Sequence, residues 1–174
     1  MQPAELMFDL PRVVSSSFDE VVRQRETQVL RTAFRVLGNW ADAEEVAQEV
    51  FLRLYRHGLG FANEAAMGSW IYRVTVNLCV DRTRKVRPGQ DLPDLRDPGA
   101  TPEASAIRAE RKGQLMQALA QLPVKERAAV VLREIEGLST AEVAEILGSR
   151  EVTVRSQISN AFGRLRAILK REEL

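Results

Sequence analysis

A proline-rich segment divides this chain of 174 residues. Residues 86–104, VRPGQDLPDLRDPGATPEA, hold four of the seven prolines, two glycines, and four acidic residues against two arginines. Such a composition interrupts regular structure, and it cannot bury enough apolar surface to fold by itself. We therefore predict an acidic, proline-rich flexible linker over residues 88–104. It would follow an N-terminal extension (1–17) and a first domain (18–87) and precede a second domain (105–174).

Both parts have the hydrophobic periodicity of α-helices. Apolar residues recur every three or four positions, whereas almost no stretch alternates with the period of two that half-buried strands need. In the first part we expect one helix that begins at Phe18 and stops at Gly38, a second that begins near Asp42 with Asp42 as its cap, and a third over about 65–85. The predicted fold is all-α: an N-terminal bundle of three to four helices and a C-terminal domain of four helices.

Apolar stripes in the second part predict its core. In the first and second of its helices we expect inward positions at Leu115, Leu119, Leu122, Ala128, Val131, Leu132 and Ile135. In the last helix we expect them at Val152, Val154, Ile158, Phe162, Leu165 and Leu169. Their spacing is that of one helical face.

Residues 138–162, LSTAEVAEILGSREVTVRSQISNAF, have the pattern of a helix-turn-helix. Ser139 and Glu142 form a capping box, Ala144 is small where two helices would cross, and Gly148 suits the turn. The outward face of the second helix would then present side chains that can contact bases and phosphates: Arg150, Thr153, Arg155, Ser156, Gln157, Ser159 and Asn160. A plain helical hairpin with a solvated face is the alternative.

The first part places an acidic helix beside a basic one. The acidic face comprises Asp42, Glu44, Glu45, Gln48 and Glu49, and by itself it is equally typical of a solvated helix start. The next helix carries Arg73, Arg82, Arg84 and Lys85, with Trp70, Tyr72 and Asn77 near its outer side. Cations interleaved with aromatic rings favour a nucleic-acid strand, although Trp70 is also compatible with core packing.

Composition excludes several classes of function. The formal net charge is only +1, which argues against a binder held by charge alone. With a single cysteine (Cys79) and a single histidine (His57), a disulfide framework is impossible, and neither a Cys/His metal site nor a nucleophile–base pair is expected. The N-terminus lacks the apolar core of a signal peptide, and no apolar stretch is long enough to span a membrane. We expect a cytoplasmic protein that is not an enzyme.

Three motifs in this order resemble the extracytoplasmic-function (ECF) group of bacterial sigma factors in the sigma-70 family. The stretch DAEEVAQEVFLRLYRH resembles the helix of region 2.2. The stretch GSWIYRVTVNLCVDRTRK resembles the family's W-L-Y-R-I-A-x-N…D-x-x-R-K segment. Residues 122–166 resemble region 4 nearly throughout. The resemblance covers residues 18–87 and 105–170, which is most of the chain.

The resemblance implies a sigma factor that binds core RNA polymerase and directs it to promoters. Contacts with the clamp helices of the largest polymerase subunit would come from Asp42, Glu45, Gln48, Glu49 and Leu52. The promoter −10 element would be bound by Asn63, Trp70, Arg73, Asn77, Arg82 and Lys85. The −35 element would be read by the recognition-helix residues Arg150 to Asn160 given above, and the same domain would touch the polymerase flap. An anti-sigma factor would be a further partner, and no cofactor, metal or small-molecule substrate is implied.

The sequence departs from the family pattern in the recognition helix. Gln157 and Asn160 stand where the family usually has arginines, so we expect a −35 preference that differs from the family average and a weaker salt dependence. Two other functions stay open at this point: a stand-alone helix-turn-helix regulator, and a helical adaptor that binds only protein.

Overall fold

The computed structural model describes residues 17–85 and 106–172. Within these ranges the chain is helical and contains no strand. The elements are α1 (Phe18–Leu37), α2 (Trp40–His57), α3 (Glu64–Lys85), α4 (Ala106–Ala120), α5 (Val124–Val130), a π-helical segment (Val131–Ile135), α6 (Thr140–Leu147) and α7 (Glu151–Glu172). The prediction of an all-α fold is confirmed. The predicted N-terminal extension, 1–17, lies outside the described residues except for Ser17, and the predicted linker, 88–104, lies wholly outside them.

Helices α1, α2 and α3 pack as a three-helix bundle. Ala33, Val50, Leu54 and Val76 are fully buried at its centre. Gly38 ends α1 in the left-handed conformation, with φ 86°, and its amide donates a hydrogen bond to a carbonyl in the last turn of α1. Glycine reaches this conformation without the steric penalty of a side chain, so this predicted helix end is confirmed.

Helix α2 begins two residues earlier than predicted. The Asn39 side-chain oxygen accepts a hydrogen bond from the backbone amide of Asp42 at 2.8 Å, and the Asn39 side-chain nitrogen Nδ2 donates to the Asp42 carboxylate at 2.7 Å. The prediction that Asp42 is the cap was therefore wrong. Asn39 is the cap, and Asp42 lies in the first helical turn, where its charge also suits the positive end of the helix.

The second half is built from α4 to α7 around a core that includes Leu119, Leu132, Ile146 and Val154. The capping box of α6 forms as predicted. The Glu142 amide donates to Ser139 Oγ at 3.2 Å, and the Ser139 amide donates to the Glu142 carboxylate at 2.7 Å. These hydrogen bonds lower the pKa of Glu142, because they favour its charged form.

Several predicted core positions of the second half are exposed instead. Leu115, Ile135, Val152, Phe162 and Leu169 have between 38% and 61% of their surface accessible. In α4 and α7 the neighbouring side chains Met116 and Ala161 point inward. Ile135 lies in the π-helical segment, whose wider turn shifts the residues after it relative to an α-helical stripe.

The two halves lie in contact through one continuous core. Helices α1 and α3 pack against α4, α5 and α6, and the buried apolar residues of both halves form a single cluster. Arg127 of α5 is buried in this contact, and its guanidinium donates to the carbonyls of Val36, Ala120 and Leu122. Burial lowers the pKa of Arg127 to about 10, which still leaves it charged at neutral pH.

No helix in the described part of the chain combines the length and hydropathy that a membrane crossing requires.

Replacing Asn39 with alanine removes the cap of α2. We expect Asn39→Ala to lower the free energy of unfolding by about 1 kcal/mol, since an amide at the helix start loses its acceptor. Urea denaturation followed by circular dichroism measures this change. Gln48→Ala, an exposed substitution within the same helix, is the control and should change the midpoint little. Equal midpoints for Asn39→Ala and the control would contradict the assignment.

Candidate nucleic-acid and polymerase interfaces

Helices α6 and α7 adopt the predicted helix-turn-helix. Gly148 ends α6 in the left-handed conformation, with φ 58°, and the Ser149 amide donates to the Ala144 carbonyl at 2.9 Å. Ala144 and Val154 are buried between the helices. The turn is only three residues long, Gly148 to Arg150. This geometry presents the start of α7 as the recognition helix of such motifs.

Most of the predicted −35 contacts lie on the accessible face of α7 or in the turn just before it. The exposed members are Arg150, Arg155, Ser156, Ser159 and Asn160, while Thr153 and Gln157 are half-buried. The Gln157 side-chain oxygen is shielded from solvent and has no hydrogen-bond partner in the described part of the chain. Thus the glutamine that departs from the family pattern is turned partly away from the accessible face of α7.

Arg155 is paired within its own helix. Its guanidinium lies 2.8 Å from the carboxylate of Glu151, one turn earlier, and both side chains are largely exposed. Exposed pairs of this kind contribute only about 0.3–0.5 kcal/mol. A phosphate or a guanine can therefore displace Glu151 from Arg155 at little cost.

The predicted −10 residues of α3 do not form one free face. Asn77 is exposed, and Trp70 is half-buried. Arg73 lies 3.3 Å from the carboxylate of Glu145 on α6, so it is engaged by the other half of the chain. Lys85 is the last residue of α3, and its side chain lies outside the described residues.

Arg82 links the predicted −10 surface to the predicted polymerase surface. Its guanidinium lies 2.5 Å from the Asp42 carboxylate and 2.6 Å from that of Glu45. These hydrogen bonds and charges raise the pKa of Arg82, although desolvation by burial, the largest single effect, acts in the opposite direction. Two residues predicted to dock on polymerase thus neutralise one predicted to hold DNA.

An aromatic cluster that sequence reasoning missed flanks the α2–α3 loop. His57 stacks on Phe61 with ring centroids 4.8 Å apart, and the Trp70 ring lies 5.0 Å from His57. Asn63, predicted as a −10 contact, accepts a hydrogen bond from the Ala66 amide at 2.8 Å and so caps α3. The local signal in the sequence was the position of His57 and Phe61 on either side of Gly58 and Gly60.

The predicted polymerase surface on α2 combines acids with exposed apolar groups. Glu45 and Gln48 are exposed, and Glu49 pairs with Arg53 one turn later at 2.8 Å. Leu52 is 43% accessible and Tyr55, three residues on, is 69% accessible. Tyr55 was missed by sequence reasoning, although its spacing of three residues from Leu52 places both on one helical face.

Tyr72 lies inside the molecule, which corrects the expectation that it lies near the outer side of α3. It is 9% exposed, and its hydroxyl donates to the Glu136 carboxylate at 3.0 Å and accepts a hydrogen bond from Gln28. Burial, together with the negative charge of Glu136, raises the pKa of Tyr72 to about 12. Its neighbours along the helix, Trp70 and Arg73, stay nearer the surface.

The side chains that commonly bind metals form no metal site in the part of the chain that the structure describes. Within residues 17–85 and 106–172 no three His, Cys, Asp or Glu side chains are grouped so as to hold a metal ion. Cys79 is buried, and burial raises the pKa of its thiol to about 12.

Comparison with known proteins identifies both halves. Residues 21–88 match Sigma-70 region 2, and residues 112–165 match Sigma-70, region 4. The chain belongs to the ECF sigma factors of the sigma-70 family. It is 39% identical over 160 residues to the ECF sigma factor SigE of Mycolicibacterium smegmatis, and the match covers 88% of this chain and 62% of that protein. It is 30% identical to SigW of Bacillus subtilis, over 88% of this chain and 89% of the relative.

The fold is shared with a solved sigma factor. The structure of RpoE from Bartonella quintana, determined with the anti-sigma factor NepR, superposes with a TM-score of 0.70 at 19% identity, over 88% of this chain and 96% of that one. With both regions present, the comparisons support a promoter-recognising sigma factor over the stand-alone regulator that the sequence left open. Sigma factors act by binding and are not themselves enzymes.

The raised pKa of Tyr72 predicts that the folded state loses stability at alkaline pH. The fold favours the protonated phenol, so this contribution is complete below pH 10 and is lost as the pH rises through about 12. The chain has two tyrosines, so Tyr55→Phe leaves Tyr72 alone. Its absorbance at 295 nm should titrate near pH 12 in the folded protein and near 10 in urea. Coincident curves would show that Tyr72 is not held as described.

Proposed function

We propose that this sigma factor divides promoter recognition between its halves, with α7 reading the −35 element and α3 with the α2–α3 loop taking the −10 element. The observation that carries the first assignment is the helix-turn-helix, which presents Arg155, Ser156 and Asn160 together on an accessible face. Arginine can bridge a guanine, and asparagine can pair with an adenine, in the major groove.

For the −10 element we propose single-strand binding. Asn77 and Arg73 supply polar and charged groups on α3, and the cluster of His57, Phe61 and Trp70 supplies aromatic rings beside the loop. Stacking on such rings contributes about 1–3 kcal/mol per base, which offsets the few kcal/mol that unstacking a base costs. Arg82 would join this surface by exchanging its carboxylate partners for a phosphate.

For core polymerase we propose docking through α2. Leu52 and Tyr55 offer apolar surface, and the surrounding carboxylates of Asp42, Glu45 and Glu49 suit a basic partner. Interfaces of this kind depend on a few buried apolar or aromatic anchors surrounded by polar groups. The clamp helices of the largest subunit are the expected site, with the flap receiving the second half. We also propose an anti-sigma factor as partner, a place in the cytoplasm beside the polymerase, and no catalytic activity or cofactor.

The direct test joins the chain to core polymerase. A DNA pool selected with the reconstituted holoenzyme should yield paired −10 and −35 elements, and a template bearing them should give a run-off transcript. Core polymerase alone is the control. Failure of the chain to co-purify with core polymerase would contradict the proposed function.

Leu52→Ala should weaken binding to core polymerase. Loss of an anchoring leucine side chain removes about 1–2 kcal/mol of apolar burial, so we expect an affinity about tenfold lower in a titration with labelled protein. Leu115→Ala is the matched control, because Leu115 is 44% accessible and Leu52 is 43% accessible. Equal affinities for the two variants would remove Leu52 from the docking surface.

Arg155→Ala should lower transcription from promoters that depend on the −35 element. Loss of a base contact costs about 1–3 kcal/mol, so we expect initiation to fall about tenfold or more, with discrimination relaxed at one base pair. Arg171→Ala, which removes an exposed cation near the end of the same helix, controls for charge alone. If the two variants lose activity equally and keep the wild-type sequence preference, Arg155 does not read a base.

A further inference from the structure

The carboxylate of Glu136 is almost completely enclosed by the other half of the chain. Its side chain is 9% exposed. One oxygen accepts hydrogen bonds from Arg35 at 2.7 Å and Thr32 at 2.9 Å, and the other accepts from Tyr72 at 3.0 Å. All three donors belong to α1 and α3, whereas Glu136 follows the π-helical segment of the second half.

The π-helical segment determines where Glu136 points. The Glu136 amide donates to the Val131 carbonyl five residues earlier, at 2.9 Å, and the next residue, Gly137, takes a left-handed conformation with φ 75°. A wider turn followed by a left-handed residue ends the helix abruptly. The acid is thereby directed into α1 and α3, whereas Glu134, two residues earlier, is exposed.

The same contact occupies part of the proposed −10 surface. On α3, one residue after Tyr72, Arg73 is held by Glu145 of α6. Helix α6 is the first helix of the helix-turn-helix, and it packs along α3. In this closed arrangement the helix-turn-helix is held on α3 through α6, so the proposed −35 and −10 surfaces cannot be placed on separated promoter elements.

We propose that Glu136 is a latch that holds region 4 on region 2 in a closed resting state, which must open before polymerase and promoter are bound. The three hydrogen bonds of this carboxylate break together when the halves separate, because all three donors belong to the other half. Each donor is then left without its charged partner. The closed state is inferred from the contacts of Glu136. The inference that it competes with binding of polymerase and promoter rests on the proposed function.

The first arm of the test measures the closed state in the full chain without polymerase. Cysteines at the exposed positions Arg23 and Arg166 carry a pair of fluorescent labels, with Cys79 changed to alanine. The wild type should give high transfer efficiency, and Glu136→Gln should shift a large part of the population to low efficiency. Glu134→Gln is the matched control, since it removes the same charge from an exposed position.

A second variant changes the donors on α1 instead of Glu136 itself. Thr32→Val with Arg35→Gln removes two of the donors and leaves Glu136 in place, and it should open the chain as Glu136→Gln does. Helicity by circular dichroism shows whether each variant is folded. Folded variants that keep the wild-type transfer efficiency would overturn the latch.

The second arm measures the rate of association with core polymerase by stopped flow. An open chain skips the opening step, so we expect Glu136→Gln to associate several-fold faster than both the wild type and Glu134→Gln. An open variant that associates no faster would overturn the resting-state claim. If no chain associates with polymerase at all, the proposed function fails, whereas the transfer measurement still decides whether Glu136 closes the chain.

Discussion

The buried guanidinium of Arg127 is the interaction that organises the second half and joins it to the end of α1. Its charge is matched by carbonyl dipoles from Val36, Ala120 and Leu122, and no carboxylate of the described residues pairs with it. Val36 and Ala120 lie in the last turns of α1 and α4, where carbonyls lack partners within the helix and the helix dipole is negative. One cation therefore satisfies two helix ends, one from each half, and it fixes how α5 enters the core.

The two contacts between the halves differ in what breaking them requires. Arg127 donates to backbone groups, so separation of the halves leaves it with Ala120 and Leu122 of its own half and frees only the Val36 carbonyl. Glu136 draws all three of its side-chain donors from the other half. Hydrogen bonds to a charged group contribute about 1.5–3 kcal/mol each, and opening removes every one of those of Glu136. Opening therefore costs Glu136 more hydrogen bonds than it costs Arg127. Arg127 keeps its contacts within the second half in both the closed and the open state.

Local features were predictable from the sequence, and contacts between distant residues were not. The helix-turn-helix followed from Ser139, Glu142 and Gly148, since a capping box and a left-handed glycine act within a few residues. The cap at Asn39 was missed because Asn39 and Asp42 both suit a helix start, and only the fold shows which one stands outside the helix. The placement of Tyr72 and Glu136 depends on the contact between the halves and on a π-helical turn. Neither the contact between the halves nor the π-helical turn leaves a periodic signal in the sequence. The roles of individual site residues stay predictions.

Ion pairs within the chain occupy three of the arginines on the proposed surfaces. Arg73, Arg82 and Arg155 each face a carboxylate of the same chain. These pairs are partly or largely exposed, so each stabilises the fold by no more than about 1 kcal/mol. Each nevertheless lowers the positive potential that a phosphate meets. Binding then requires an exchange of partners, and the exchange is favourable where the acid gains a cation of its own. In the proposed docking, that cation would come from polymerase for Asp42 and Glu45, and Arg82 would then be free to bind a phosphate.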